Sequence, residues 1–189
     1  MHIGSAPFNP VSPFHLRPHR VHEVEGLGAM AFVLYQAKLY QGPIIWLQLD
    51  RHDRELMPVG LPQGIAARLQ LVRCSSEEDL LWATEESLRS EAVDLVISCP
   101  TKALGLTAGR RLQLAAEAGS STGLMLIKAG QGSNAAETRW HCAPVAGPQD
   151  SVTATHSWRC TKNKTTKAQD WIVDWDGDHP PRYEAAPSR

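Results

Sequence analysis

Three apolar runs of strand length, at residues 44–49, 93–97 and 122–127, constrain this chain more than any other feature. A strand with one wet face alternates polar and apolar residues, whereas a run that is apolar throughout must be covered on both sides. Segments of helical character lie between the runs. Strands separated by helices predict a mostly parallel sheet with helices on its faces, the α/β class.

The first run is entered through a strand–turn–helix. Residues 20–25 alternate, with Val21, Glu23 and Glu25 on one side and His22 and Val24 on the other. Gly26-Leu27-Gly28 then leads into an apolar helix over 29–41, which Gly42-Pro43 ends. A short strand at 69–72 follows the Pro/Gly-rich turns of 58–64. An acidic helix comes next over 77–90, capped by Ser75 or Ser76 and buried through Leu80, Leu81, Ala83, Thr84 and Leu88.

The stretch 106–144 carries the most specific sequence. Its helix has Leu112, Ala115, Ala116 and Gly119 on one small apolar face, suited to lying close on a sheet. Thr107 is its expected start and Gly119 its left-handed stop. That start would put Arg110 and Arg111 in the first turn, where the dipole disfavours cations. Either the helix begins earlier, near Ala103, or the arginines serve a partner; a solvated basic pair is the plainer reading.

Beyond Gly130-Gln131-Gly132 the helices stop. Segments 138–143, 157–163 and 171–175 read as strands that extend the sheet in antiparallel fashion, with a loop at 147–155. Six of the chain's aromatic residues are Trp, and Trp140, Trp158, Trp171 and Trp175 lie in this last third, which argues that it is folded. Pro7, Pro10, Pro13 and Pro18 make 1–19 an extended arm, 20–176 the folded domain, and 177–189 a loose tail.

Composition excludes several classes. The formal net charge of −1 gives no global field toward nucleic acid or membrane. Cys74, Cys99, Cys142 and Cys160 are scattered without a Cys-x-x-Cys pair. With no signal-peptide core and no long apolar span, a reduced cytoplasmic setting is expected. His15, His19 and His22 are spaced like helical metal ligands, but Pro18 interrupts them.

A turn between a first strand and a helix is where α/β proteins hold phosphates. A phosphate loop needs lysine and Ser or Thr after its glycines. Gly26-Leu27-Gly28-Ala29-Met30-Ala31 has neither, so a tight structural turn is the better reading. The strand at 93–97 ends in Ser98, Cys99 and Pro100 rather than an acidic metal ligand, and Asp50 lacks partners. No Gly-x-Ser-x-Gly or His-Glu-x-x-His motif occurs, and Cys99 reads as a small buried residue. Late in the chain Arg159, Lys162, Lys164 and Lys167 interleave with Trp158 and Trp171. That pattern fits a nucleic-acid groove or, more simply, lysines guarding a hairpin edge.

The order βαβ, Trp46 in the second strand, Trp82 in the acidic helix, "SEAVDLVIS", "LTAGRRLQLAAEAGSSTGLMLI", "AAETRWHCAP" and "WIVDWD" resembles the ImuA family. The family comprises inducible mutagenesis accessory proteins related to the recombinase RecA and the division inhibitor SulA. The resemblance runs over about residues 19–176. It implies a RecA-like core that has lost its nucleotide chemistry, with Cys99 where the metal aspartate would fall. It also implies a non-enzymatic, cofactor-free role in SOS-induced, error-prone translesion DNA synthesis. The implied partners are an ImuB-type Y-family polymerase relative and an error-prone polymerase alpha subunit, with direct DNA contact left open.

Within that role the expected contact surface is Arg110, Arg111, Arg139, Trp140, Trp158, Arg159, Lys162, Lys164 and Trp171. The arm stands where recombinases carry a self-association segment, so a monomer or dimer is expected. A SulA-like division inhibitor and a residual ATP- or DNA-binding recombinase relative are the alternatives.

Overall fold

The computed structural model describes residues 12–51, 56–147 and 153–186. Their strands form one nine-stranded sheet in the order β3-β2-β4-β5-β1-β6-β7-β8-β9. The chain order is β1 (Val21–Glu25), α1 (Ala29–Leu39), β2 (Ile44–Leu49), β3 (Leu69–Cys74), α2 (Glu77–Arg89), β4 (Leu95–Ser98), α3 (Leu106–Ala118), β5 (Thr122–Leu126), β6 (Thr138–Pro144), β7 (Ala154–Asn163), β8 (Asp170–Trp175) and β9 (Arg182–Ala185). From β3 across to β6 every neighbouring pair is parallel. From β6 outward every pair is antiparallel. The α/β reading therefore holds, with the change of direction falling after β6 rather than before it.

The two faces bury different clusters. Val24, Ile44, Trp46, Leu95 and Ile97 pack with α1 on one face. Val21, Ile45, Leu47 and Val96 pack with α2 and α3 on the other. This is the period-2 alternation of strands covered on both sides. It explains why β1 is buried at every position although its sequence alternates. The antiparallel half packs through one face only: Trp140, Cys142, Trp158, Cys160, Val173 and Trp175 all join the α1 cluster.

Helix ends follow local chemistry. Ser76 caps α2 by accepting from the Asp79 N–H, and Glu77, Glu78 and Asp79 fill its first turn. The C-terminal carbonyls of α1 are met by Arg68, whose guanidinium donates to Tyr40, Gly42 and Ala37 carbonyls.

Several expectations need correction. Helix α3 starts at Leu106 with Gly105 as its cap, so Thr107 is not the N-cap. Arg110 and Arg111 fall in the second turn, where the dipole penalty has faded. Gly119 is not left-handed (φ −89); Ser120 is (φ 54). Gly119 is needed for another reason: a Cβ there would sit 2.2 Å from the Leu88 carbonyl oxygen, so the end of α3 packs directly on the end of α2.

The arm is not free where it is described. Phe14 is fully buried. Its ring meets Trp158 at 4.9 Å, Tyr183 at 5.1 Å and Trp171 at 5.9 Å, edge-on. The remainder of the arm, residues 1–11, lies outside the described residues, as do 148–152 of the expected loop. The tail is not loose throughout: Arg182–Ala185 pairs with β8 as an edge strand.

Candidate functional site

The place to test for ligand chemistry is the C-terminal end of the parallel strands, where open α/β sheets bind ligands. Here β1 turns into α1 through Gly26, which takes the left-handed conformation (φ +98). A Cβ on Gly26 would lie 2.3 Å from the Cys142 carbonyl oxygen, and one on Gly28 would lie 2.9 Å from the backbone of Ala143. The Gly28 N–H donates to the Cys142 carbonyl at 2.9 Å, and the Ala29 N–H to the Gly26 carbonyl at 3.2 Å. These glycines let the turn lie flat on β6. The Gly28, Ala29 and Ala31 amides, which could otherwise face a phosphate, are bonded within the chain.

Two carboxylates stand beside the turn. Glu23 is 1% exposed and Glu25 is 9% exposed. Both are held by the loop between β5 and β6. Glu23 accepts from the Ser133 N–H and from Arg139 Nε, each at 2.8 Å. Arg139 also donates to the Ser133 carbonyl at 2.8 Å. Glu25 accepts from the Gly130 N–H at 2.9 Å, and His141 Nδ1 lies 3.4 Å from its other oxygen. A buried carboxylate next to Gly26 would repel a phosphate at that turn. The sequence reading placed Glu23 and Glu25 on one side of β1 but missed that they anchor this loop. The signal was there: two carboxylates at i, i+2 in a strand flanked by apolar strands must find donors.

The end of β4, where an acidic metal ligand would be expected in a nucleotide site, is packed. Ser98 Oγ lies 2.8 Å from Thr84 Oγ1 on α2. Cys99 is buried, and burial pushes its thiol up to about 12, far from a reactive thiolate at neutral pH. All four cysteines are free thiols in buried positions. His22 belongs to no metal cluster among the described residues. Its Nε2 donates to the Arg17 carbonyl at 2.9 Å, and its Nδ1 lies 2.7 Å from the Thr138 hydroxyl, which also accepts from Trp140 Nε1 at 3.1 Å. Burial lowers the His22 pKa to about 4, so the ring is neutral.

The residues expected to meet a partner fall into buried aromatics, groups committed inside the strands and loops, and the arginine pair on α3. Trp140 and Trp158 are buried and offer a partner no surface. Their strands alternate, and the aromatic side is the inner one. Arg139, Lys162 and Lys164 serve the loop ahead of β6. Lys162 Nζ donates to the Asn134 carbonyl at 2.7 Å and Lys164 Nζ to the Ala135 carbonyl at 2.7 Å. Lys162 lies in β7 beyond the residues that pair with β8, and Lys164 just past the strand's end. Arg159 pairs with Asp170 at 2.9 Å across β7 and β8, and Trp171 is half-buried against Phe14.

The third group is the arginine pair on α3. Arg111 Nη2 lies 2.6 Å from Glu85 of α2, a buried carboxylate that also pairs with Arg89. It ties the two helices together. Arg110 is exposed and makes no ion pair with a described residue. Of the expected contact residues, only Arg110 is exposed with neither an ion pair nor a side-chain hydrogen bond to a described residue.

Fold and site together define an α/β protein whose first strand–helix turn is a packed joint against β6. Its sequence is 31% identical over 134 residues to Protein ImuA of Caulobacter vibrioides, in each of two strains. The match takes in 62% of this chain and 53% of each relative, so the chain spans about half the length of the curated relatives it matches. No family model matches the chain. The similarity agrees with the ImuA-like features seen in the sequence. No helix among the described residues is long and apolar enough to cross a membrane.

Proposed function

We propose that this protein is a non-enzymatic accessory factor of damage-induced, error-prone DNA synthesis, acting in the cytoplasm by binding polymerase-type partners. The similarity to Protein ImuA supports the setting. The observation that carries the non-enzymatic part is the joint at β1–α1. The Gly28 N–H is bonded to Cys142, and the Glu25 carboxylate is buried alongside. A nucleotide site there would need free amides and a cation, whereas the Gly28, Ala29 and Ala31 N–H groups are already bonded and no lysine follows the glycines.

The partners that follow from the ImuA resemblance are an ImuB-type polymerase relative and an error-prone polymerase alpha subunit. Co-purification of this chain with its ImuB-type partner tests the reading. A stable complex without added nucleotide is the expected outcome. A purified pair that fails to associate would count against it.

A further inference from the structure

The outward face of the α2–α3 pair combines exposed apolar side chains with charges that nothing internal uses. On α2 the carboxylates divide cleanly. Glu77 accepts from the Thr101 N–H and hydroxyl and from the Lys102 N–H. Asp79 accepts from the Ser75 and Ser76 hydroxyls. Glu85 holds Arg89 and Arg111. Glu78 and Glu86 alone have no partner among the described residues, and both are exposed.

These two lie four residues before and four after Trp82, on the same helical stripe. Trp82 is 64% exposed. A large apolar side chain left in water between two uncommitted carboxylates is an unusual arrangement for a surface. On α3, which packs against α2, the exposed stripe is Leu106, Arg110 and Leu114, again at steps of four, with Leu106 47% and Leu114 66% exposed. The Arg111–Glu85 pair, one residue along from each stripe, links the two helices at their seam.

We infer that this face docks a basic amphipathic helix of a protein partner. The partner's apolar side chain covers Trp82 and Leu114, and lysines or arginines on either side of it meet Glu78 and Glu86. Those carboxylates are separated by about 12 Å along α2 at 1.5 Å rise per residue, so cations four residues before and after the apolar position would match. Laying an apolar helical stripe into a groove between helices is an established mode of peptide recognition. Nucleic acid is the poorer occupant, because the uncommitted carboxylates Glu78 and Glu86 on either side of Trp82 would repel its phosphates. The inference goes beyond the proposed function, since it rests on the surface and not on the identity of any polymerase.

The test uses the full chain and a designed alanine-rich helical peptide in which lysines four residues before and after a central leucine supply the matching pattern. Titration is followed through the Trp82 indole N–H resonance, assigned with Trp82→Phe. Saturable shifts with a millimolar or tighter constant are expected. Affinity should fall at least tenfold in a Glu78→Lys, Glu86→Lys double variant whose melting temperature is unchanged, and a glutamate version of the peptide should not bind. Absence of binding to the native chain, or equal binding to the double variant, would overturn the inference. So would sedimentation showing that the native chain dimerises and that Leu114→Glu makes it monomeric, because a second copy would then own the face.

Discussion

Two charged regions of this molecule look alike in composition and behave oppositely. Around the C-terminal end of β1, the charges of Glu23, Glu25, Arg139, Lys162 and Lys164 all meet partners inside the chain. On the outer face of α2 and α3, Glu78, Glu86 and Arg110 meet none among the described residues. The difference teaches that a charge run has no function of its own. What decides its role is whether the fold supplies donors and acceptors within reach. The first region holds a loop against the sheet; the second is available to something else.

The sharpest way to break that contrast is Arg139→Ala. It would strand Glu23, which is almost fully buried, without its cation. Removing one partner of a buried pair costs about 3–5 kcal/mol, read as a lower urea midpoint. A change under about 1 kcal/mol would mean that the β1 network is no more committed than the helix surface.

Gly26→Ala comes next. It combines a left-handed backbone with a clash against the Cys142 carbonyl, and should cost about 3 kcal/mol in thermal or urea unfolding. A neutral result would show that the turn can lift off β6.

Burial of His22 adds a pH signature to the same interior. Its pKa falls from 6.5 unfolded to about 4 folded. Between those values the unfolded chain binds a proton that the folded chain refuses. Its contribution to stability is therefore complete above the unfolded pKa and is lost as pH drops toward the folded one. About 2 kcal/mol should disappear between about pH 7.5 and about pH 5. His22→Gln should flatten that part of the pH profile, as measured by urea unfolding at each pH.

The smallest effects separate the arginine pair. Arg111→Glu sets a second carboxylate beside buried Glu85 and should lower stability by about 1–2 kcal/mol. Arg110→Glu should change stability by less than about 0.5 kcal/mol, and it should tighten binding of the basic helical peptide, because it removes a like charge from that face. Equal losses of stability would erase the distinction.

Much of the fold was legible because continuous apolar runs leave few choices. Residues 44–49 and 122–127 had to be central strands, and Ser76 followed by Glu77 had to open a helix. The Pro-rich arm was harder: Pro13 and Pro18 say only that no helix forms, not that Phe14 between them enters an aromatic cluster. The tail was misread for a similar reason, since β9 is held by pairing to β8 and its own residues are exposed.

At the site, the lack of lysine and of Ser or Thr after Gly26-Leu27-Gly28 was readable, but the role of Glu23 and Glu25 was not. It depends on a loop more than a hundred residues away in sequence. Trp140 and Trp158 were placed on the expected contact surface because composition cannot tell which side of a strand faces inward. Trp82 was within reach of the sequence. The buried side of α2, set by Leu80, Thr84 and Leu88, leaves Trp82 facing water.

The account turns on the β1–α1 joint being a structural contact and not a nucleotide site. Isothermal titration of the native chain with ATP and magnesium tests this directly. The expected result is no saturable heat up to millimolar nucleotide. Saturable binding at millimolar affinity or tighter that is abolished by Gly28→Val would contradict it, because the turn would then open to a phosphate that the packed geometry excludes.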